Sequence, residues 1–169
     1  MSGGLEKAIA PVGAIAGIIN KCIAIFSDWW ARELAVQRVK VHLKTITGDL
    51  VKEVLTIKFK NATIYVSDSW KEAPRWVDFL GWLKTDSLSK MVWIKDAWDC
   101  DNYSIGSKCR AERRIIGNIS YGFVWYGKPA HAANVFVGYT DGVLKAIQVE
   151  PQSDSIPSYD PDEAYLVVM

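Results

Sequence analysis

Apolar and polar positions divide the chain into an apolar lead, a mixed middle and a strand-rich C-terminal half. No residue between Ala8 and Ile19 is charged; Asn20-Lys21 interrupts, and Cys22-Ile-Ala-Ile-Phe26 resumes the apolar run. Val39, Val41 and Leu43 alternate with Lys40, His42 and Lys44, a period of two that predicts a strand. After a turn at Thr47-Gly48-Asp49, Leu55, Ile57 and Phe59 alternate with Thr56, Lys58 and Lys60 and predict a second strand, although the Ala, Leu, Glu and Lys content of residues 34–60 also suits a helix. Trp70, Ala73, Trp76, Val77, Leu80 and Leu83 keep helical spacing, so a helix is expected from about Ser67, capped by Asp68 or Ser69. That aromatic stripe reads as core rather than as a ligand platform.

The second half carries clearer signals. Between Asn102 and Ile116, Tyr103, Ile105, Cys109, Ala111 and Ile115 share one broad side, Lys108, Arg110, Arg113 and Arg114 supply the solvated one, and Gly117-Asn118 ends the helix. A strand follows from Ile119 to Tyr126, and the loop Gly127-Lys-Pro-Ala130 delivers His131. Two β-rich runs flank Asp141-Gly142, a strong hairpin signal. Pairing about that turn places His131 across from Gln152, with Glu150 close by on the same returning strand. Residues 151–163 are acidic and turn-rich, and residues 164–169 read as a last strand.

Cys100 opens the helix, between Asp99 and Asp101. Unpaired N–H groups and the positive end of the helix dipole favour thiolate there, while the two carboxylates oppose it; the plainer alternative is an inert buried thiol. A Cys at a helix start, a His on a following strand and an acid or amide on the next is the arrangement thiol hydrolases need: nucleophile, base and a group to hold the imidazole.

Asp99-Cys100-Asp101-Asn102-Tyr103, His131-Ala-Ala-Asn134 and Glu150-Pro-Gln152 together resemble papain-like and transglutaminase-like cysteine peptidases. The likeness is greatest to the papain-like domain attached to a fungal agglutinin and to related small phage proteins. It covers about residue 65 onward, and Tyr103-Ser104 departs from its usual Phe-Ala. It implies Cys100 as nucleophile, His131 as general base and Glu150 as the residue orienting it, with Gln152, Asn134 and Trp98 in support. It also implies an α+β fold with the Cys-bearing helix on an antiparallel sheet. No cofactor is expected; the alternative that the resemblance carries is calcium at Asp99 and Asp101.

At 169 residues the chain is long enough for one full core, and an apolar half with eight Trp excludes a disordered protein. A net charge of +1 with intermixed signs argues against nucleic acid as a partner. Three cysteines do not make a disulfide framework, and two His without C-x-x-C do not make a zinc site. The stretch that starts at Leu5 and runs through Trp30 admits three readings: a secretory signal, a membrane span, or an apolar helix. The helix would either cover its own domain or associate with copies of itself through Gly13 and Gly17, and self-association is preferred. The expected organisation is thus an N-terminal assembly helix over residues 1–30 and a single α+β domain over residues 31–169. The expected function is a papain-like cysteine hydrolase acting on a peptide or isopeptide bond, with a non-catalytic subunit of a virus-like or phage particle as the alternative. Virion or cytoplasm is favoured over secretion.

Overall fold

The computed structural model describes residues 41–95 and 99–169. The expected N-terminal assembly helix and Trp98 lie outside the described residues. The elements are β1 (Leu43–Thr47), α1 (Gly48–Lys58), β2 (Thr63–Tyr65), β3 (Trp70–Pro74), α2 (Trp76–Thr85), a 3-10 turn (Leu88–Lys90), α3 (Cys100–Arg114), β4 (Tyr121–Tyr126), β5 (His131–Thr140), β6 (Val143–Val149), a second 3-10 turn (Pro161–Glu163) and β7 (Ala164–Val168). The fold is α+β. Among the described residues β1 pairs with β3, and a five-stranded sheet runs in the order β2-β7-β4-β5-β6. Its one parallel pair is β2 with β7; the other neighbours are antiparallel.

Two expected elements change identity. Residues 48–58 form a helix, because Val51, Leu55 and Phe59, four apart, are the buried positions, whereas Ile57 is 70% exposed. The alternation of Leu55, Ile57 and Phe59 was therefore a helical pattern sampled at every second residue. Thr47 caps this helix by accepting the Leu50 N–H on its hydroxyl at 3.2 Å. Further on, residues 70–74 form a strand rather than the first turns of a helix. Lys71 and Ala73 point inward from it, and the residue ahead of Pro74 is biased toward extended backbone. The helix starts only at Trp76.

Among the described residues two apolar clusters cover the sheet. One joins Val51, Leu55 and Phe59 of α1 to Val124, Val135, Val137 and Val167. The other joins Phe79, Trp82 and Leu83 of α2 and Ala111 of α3 to Tyr121, Phe136 and Val149. Of the expected stripe Ala73 and Leu83 are buried, Trp76 and Leu80 are half-buried, and Trp70 and Val77 are exposed; the buried face of α2 is instead Phe79, Trp82 and Leu83, with the Phe79 ring tilted 4.6 Å from Phe136 and 4.8 Å from Tyr121. Helix α3 turns Tyr103, Ser104, Ser107 and Ala111 inward, but Ile105 and Cys109, assigned to its apolar side, are exposed. Asn134 anchors it, donating from Nδ2 to the carbonyls of Ser104 and Gly122, each at 2.9 Å.

Strands β4 and β7 approach closely at Gly122, where an added Cβ would stand 2.1 Å from the Val168 carbonyl oxygen. Gly122→Ala is expected to cost about 2 to 3 kcal/mol, read as a lower urea midpoint with an unchanged m-value. An unaltered midpoint would mean that the β4–β7 contact yields freely.

Candidate functional site

The first candidate site lies where α3, β5 and the end of β6 meet. Asp99 caps α3, with Asn102 Oδ1 accepting the Asp99 N–H at 3.4 Å, and Cys100 is the first residue of the helix. His131 opens β5, and the register Asn134↔Val149 brings Glu150 beside it just past β6. The His131 Nε2 to Glu150 Oε2 distance is 2.7 Å. The Tyr159 hydroxyl donates to the same oxygen at 2.9 Å, and the Gln152 backbone N–H donates to Oε1 at 3.0 Å. Burial pushes the Glu150 carboxyl up, but donation from His131, Gln152 N–H and Tyr159 outweighs it and leaves the group below its ordinary range. The Tyr159 ring lies 4.8 Å from the imidazole.

The thiol is differently placed. Its hydrogen bond runs to Asp101 Oδ1 at 3.8 Å, and that oxygen also accepts the Trp125 indole N–H at 3.1 Å. Burial pushes the Cys100 thiol above its usual value. The Ala132 N–H works against this, and the Asp101 and Asp99 carboxylates reinforce it. Among the described residues no hydrogen bond joins the Cys100 sulfur to the His131 ring. Burial and the two carboxylates thus carry the thiol upward in spite of the Ala132 N–H, and the thiol is paired with Asp101 Oδ1.

The expected residues therefore divide. Cys100, His131 and Glu150 do gather at one end of the sheet. Gln152 contributes its backbone N–H, Asn134 is a buried tie within the fold, Asp99 caps the helix, and Asp101 takes the thiol and Trp125. Among the described residues no group of His, Cys, Asp and Glu is placed to hold a metal ion. Tyr159 and Trp125 were not anticipated, since neither stands in a local pattern that points to this corner.

A second candidate site is a cleft of about 610 Å³ at the far end of β5, lined by His42, Lys44, Arg75, Trp76, Tyr139 and Asp141 among others. Arg75 grips the Asp78 carboxylate through Nε and Nη2, each at 2.9 Å, and the His42 N–H donates to Asp78 at 3.0 Å. The Arg75 hydrogen bonds prevail over burial and, with His42, pull the Asp78 carboxyl down to about 2. The Lys44 ammonium sits 4.5 Å above the Tyr139 ring. His42 is solvated, as expected, and also bonds Asp78 in this network.

No protein-family model matches the chain, and no curated protein is similar enough to count as a relative. Among solved structures the chain is similar to one titled "PSL1a-E64 complex", with a TM-score of 0.62 and 21% identity over 74% of this chain and 50% of that one. It is also similar to a Polyporus squamosus lectin bound to the human-type influenza-binding epitope Neu5Aca2-6Galb1-4GlcNAc, with a TM-score of 0.60 and 18% identity over 74% of this chain and 49% of that one. The chain spans about half the length of these structures, and what it shares with them is the fold.

These findings correct the sequence reading. One of these fold neighbours is titled a lectin, and no family model supports a papain-like or transglutaminase-like peptidase. That assignment, the peptide or isopeptide hydrolase activity with its peptide substrate, and the phage or virion subunit are all set aside. The Cys100 geometry gives a physical reason in the same direction, because an activated nucleophile needs its thiolate populated and this environment suppresses it.

Alkylation of Cys100 by iodoacetamide is expected to rise only at a pH above that of a free thiol, whose pKa is about 8.5. Asp101→Asn should move the midpoint down, and His131→Ala should leave it in place. A clear drop in rate on removing His131 would instead show an imidazolium–thiolate pair.

Asp78 offers a pH test. Its folded value of about 2 lies below the ordinary 3.8, so the stability it contributes is complete above about pH 4 and is lost as pH falls toward 2. Asp78→Asn should flatten the urea midpoint against pH in that window, and an identical acid limb in both proteins would contradict the assignment.

Proposed function

We propose that the domain is a carbohydrate-binding module whose ligand enters the cleft at the far end of β5. The carrying observation is the lining: the rings of Trp76 and Tyr139 stand beside the polar groups of His42, Lys44, Arg75 and Asp141 in a space of about 610 Å³. A sugar presents C–H faces that pack on aromatic rings and hydroxyls that need fixed donors and acceptors, and a cleft of this size is usual for a small ligand. Arg75 is already immobilised by Asp78, which lowers the ordering cost of binding. The lectin title, in which a protein containing this fold holds a glycan, supports the reading.

For the glycan reading, a glycan array followed by NMR titration of the strongest hit should shift the amides of residues 139–142. Tyr139→Ala, at a half-buried position on the cleft wall, is expected to weaken binding about tenfold, equivalent to about 1.4 kcal/mol, and Asp141→Asn to alter glycan preference. An array without hits, together with silent amides at millimolar glycan, sinks the proposal.

A further inference from the structure

Strand β6 is the last in the order β2-β7-β4-β5-β6 and pairs with β5 alone. Alternate N–H and C=O groups along Val143–Val149 therefore face outward, without a backbone partner among the described residues. Such a row is a template for one more strand. Beside it, between α1 and β6, runs a groove of about 510 Å³ whose lining includes Ile57 and Leu144 as apolar groups and Lys58, Lys60 and Lys145 as cations. The three lysines come from the end of α1, the turn after it and β6 itself. No ion pair joins any of them to a described carboxylate. Asp160 and Asp162 share the groove, but Asp160 is turned to its own backbone, accepting the Asp162 N–H at 3.0 Å.

We propose that the outer edge of β6 and this groove form a docking site for an extended acidic segment of a partner protein, which adds to the sheet as a further strand. Main-chain hydrogen bonds to β6 supply the affinity, and alternation supplies the selectivity. Every second residue of the segment faces the groove and packs on Leu144 and Ile57, and the residues between them, on the opposite face of the sheet, bring acidic side chains to Lys145. The same charges select against a second copy of this chain, since pairing two β6 edges would bring both sets of lysines together. Lys145 thus blocks self-pairing while admitting an acidic strand.

The test uses the full chain and a synthetic peptide of alternating valine and glutamate, as long as the seven residues of β6. Amide shifts and slowed exchange confined to Val143–Val149 and the groove are expected. Binding should weaken at least tenfold for a peptide with lysine in place of glutamate, and similarly for Lys145→Glu, whose exposed site leaves the remaining spectrum intact as a folding control. A peptide N-methylated on its pairing edge should not bind. Silence at millimolar peptide, equal binding of the lysine peptide, or protection in the protein alone of the β6 amides that point away from β5 would each overturn the proposal. A dimer by sedimentation with β6 protected would do the same and would assign the edge to a second copy.

Discussion

Burial of β5 on both faces is the constraint on which the other parts depend. From Ala132 to Gly138 the strand is buried; Val135 and Val137 face the α1 side, and Phe136 faces α2 and α3. Gly138 sits under the end of β3, where an added Cβ would stand 2.3 Å from the Pro74 carbonyl oxygen and would strike the Phe136 ring. A strand clamped in this way cannot slip by one residue without exchanging its two apolar sets. Its ends are fixed as a result, and each candidate site is built at one of them, His131 at the start and Tyr139 at the finish.

The two ends differ in how their charges are satisfied. At the His131 end, Glu150 is fully engaged by an imidazole, a phenol and a backbone N–H, while Asp101 takes both the thiol and the Trp125 indole. Asp101 and Asp99 beside the sulfur are both acids, and with burial they raise the thiol. At the Tyr139 end, Asp78 is neutralised by Arg75 behind the cleft and Lys44 lies over an aromatic face. Polar groups there are oriented yet still open toward the cleft, the condition a neutral, hydroxyl-rich ligand needs. Three residue types in hydrogen-bonding order are thus a weaker indicator of chemistry than the field in which the sulfur sits.

Edge position separates the roles of the strands. β5 is interior and carries the framework, whereas among the described residues β6 is paired on one side only and has beside it a groove lined by Lys58, Lys60 and Lys145. Recognition at the cleft and at the edge would use different surfaces of one rigid sheet, and ligands at the two would not compete for side chains.

Local chemistry made much of this legible from the chain. Asp141-Gly142 set the β5–β6 hairpin, since left-handed backbone is needed at both positions, and Asp141 and Gly142 adopt φ of 51° and 80°. The same turn brought Glu150 to His131, and the capped start of α3 placed Cys100. Patterns alone misread residues 48–58 and 70–74, where a helix sampled at every second residue imitates a strand and where Pro74 and pairing with β1 override helical spacing. The suppressed thiol, the Arg75–Asp78 support of the cleft, the approach of Tyr159 and the open edge of β6 were decided only by the tertiary structure. Each depends on burial or on contact between segments far apart in the chain, for which adjacent residues carry no signal.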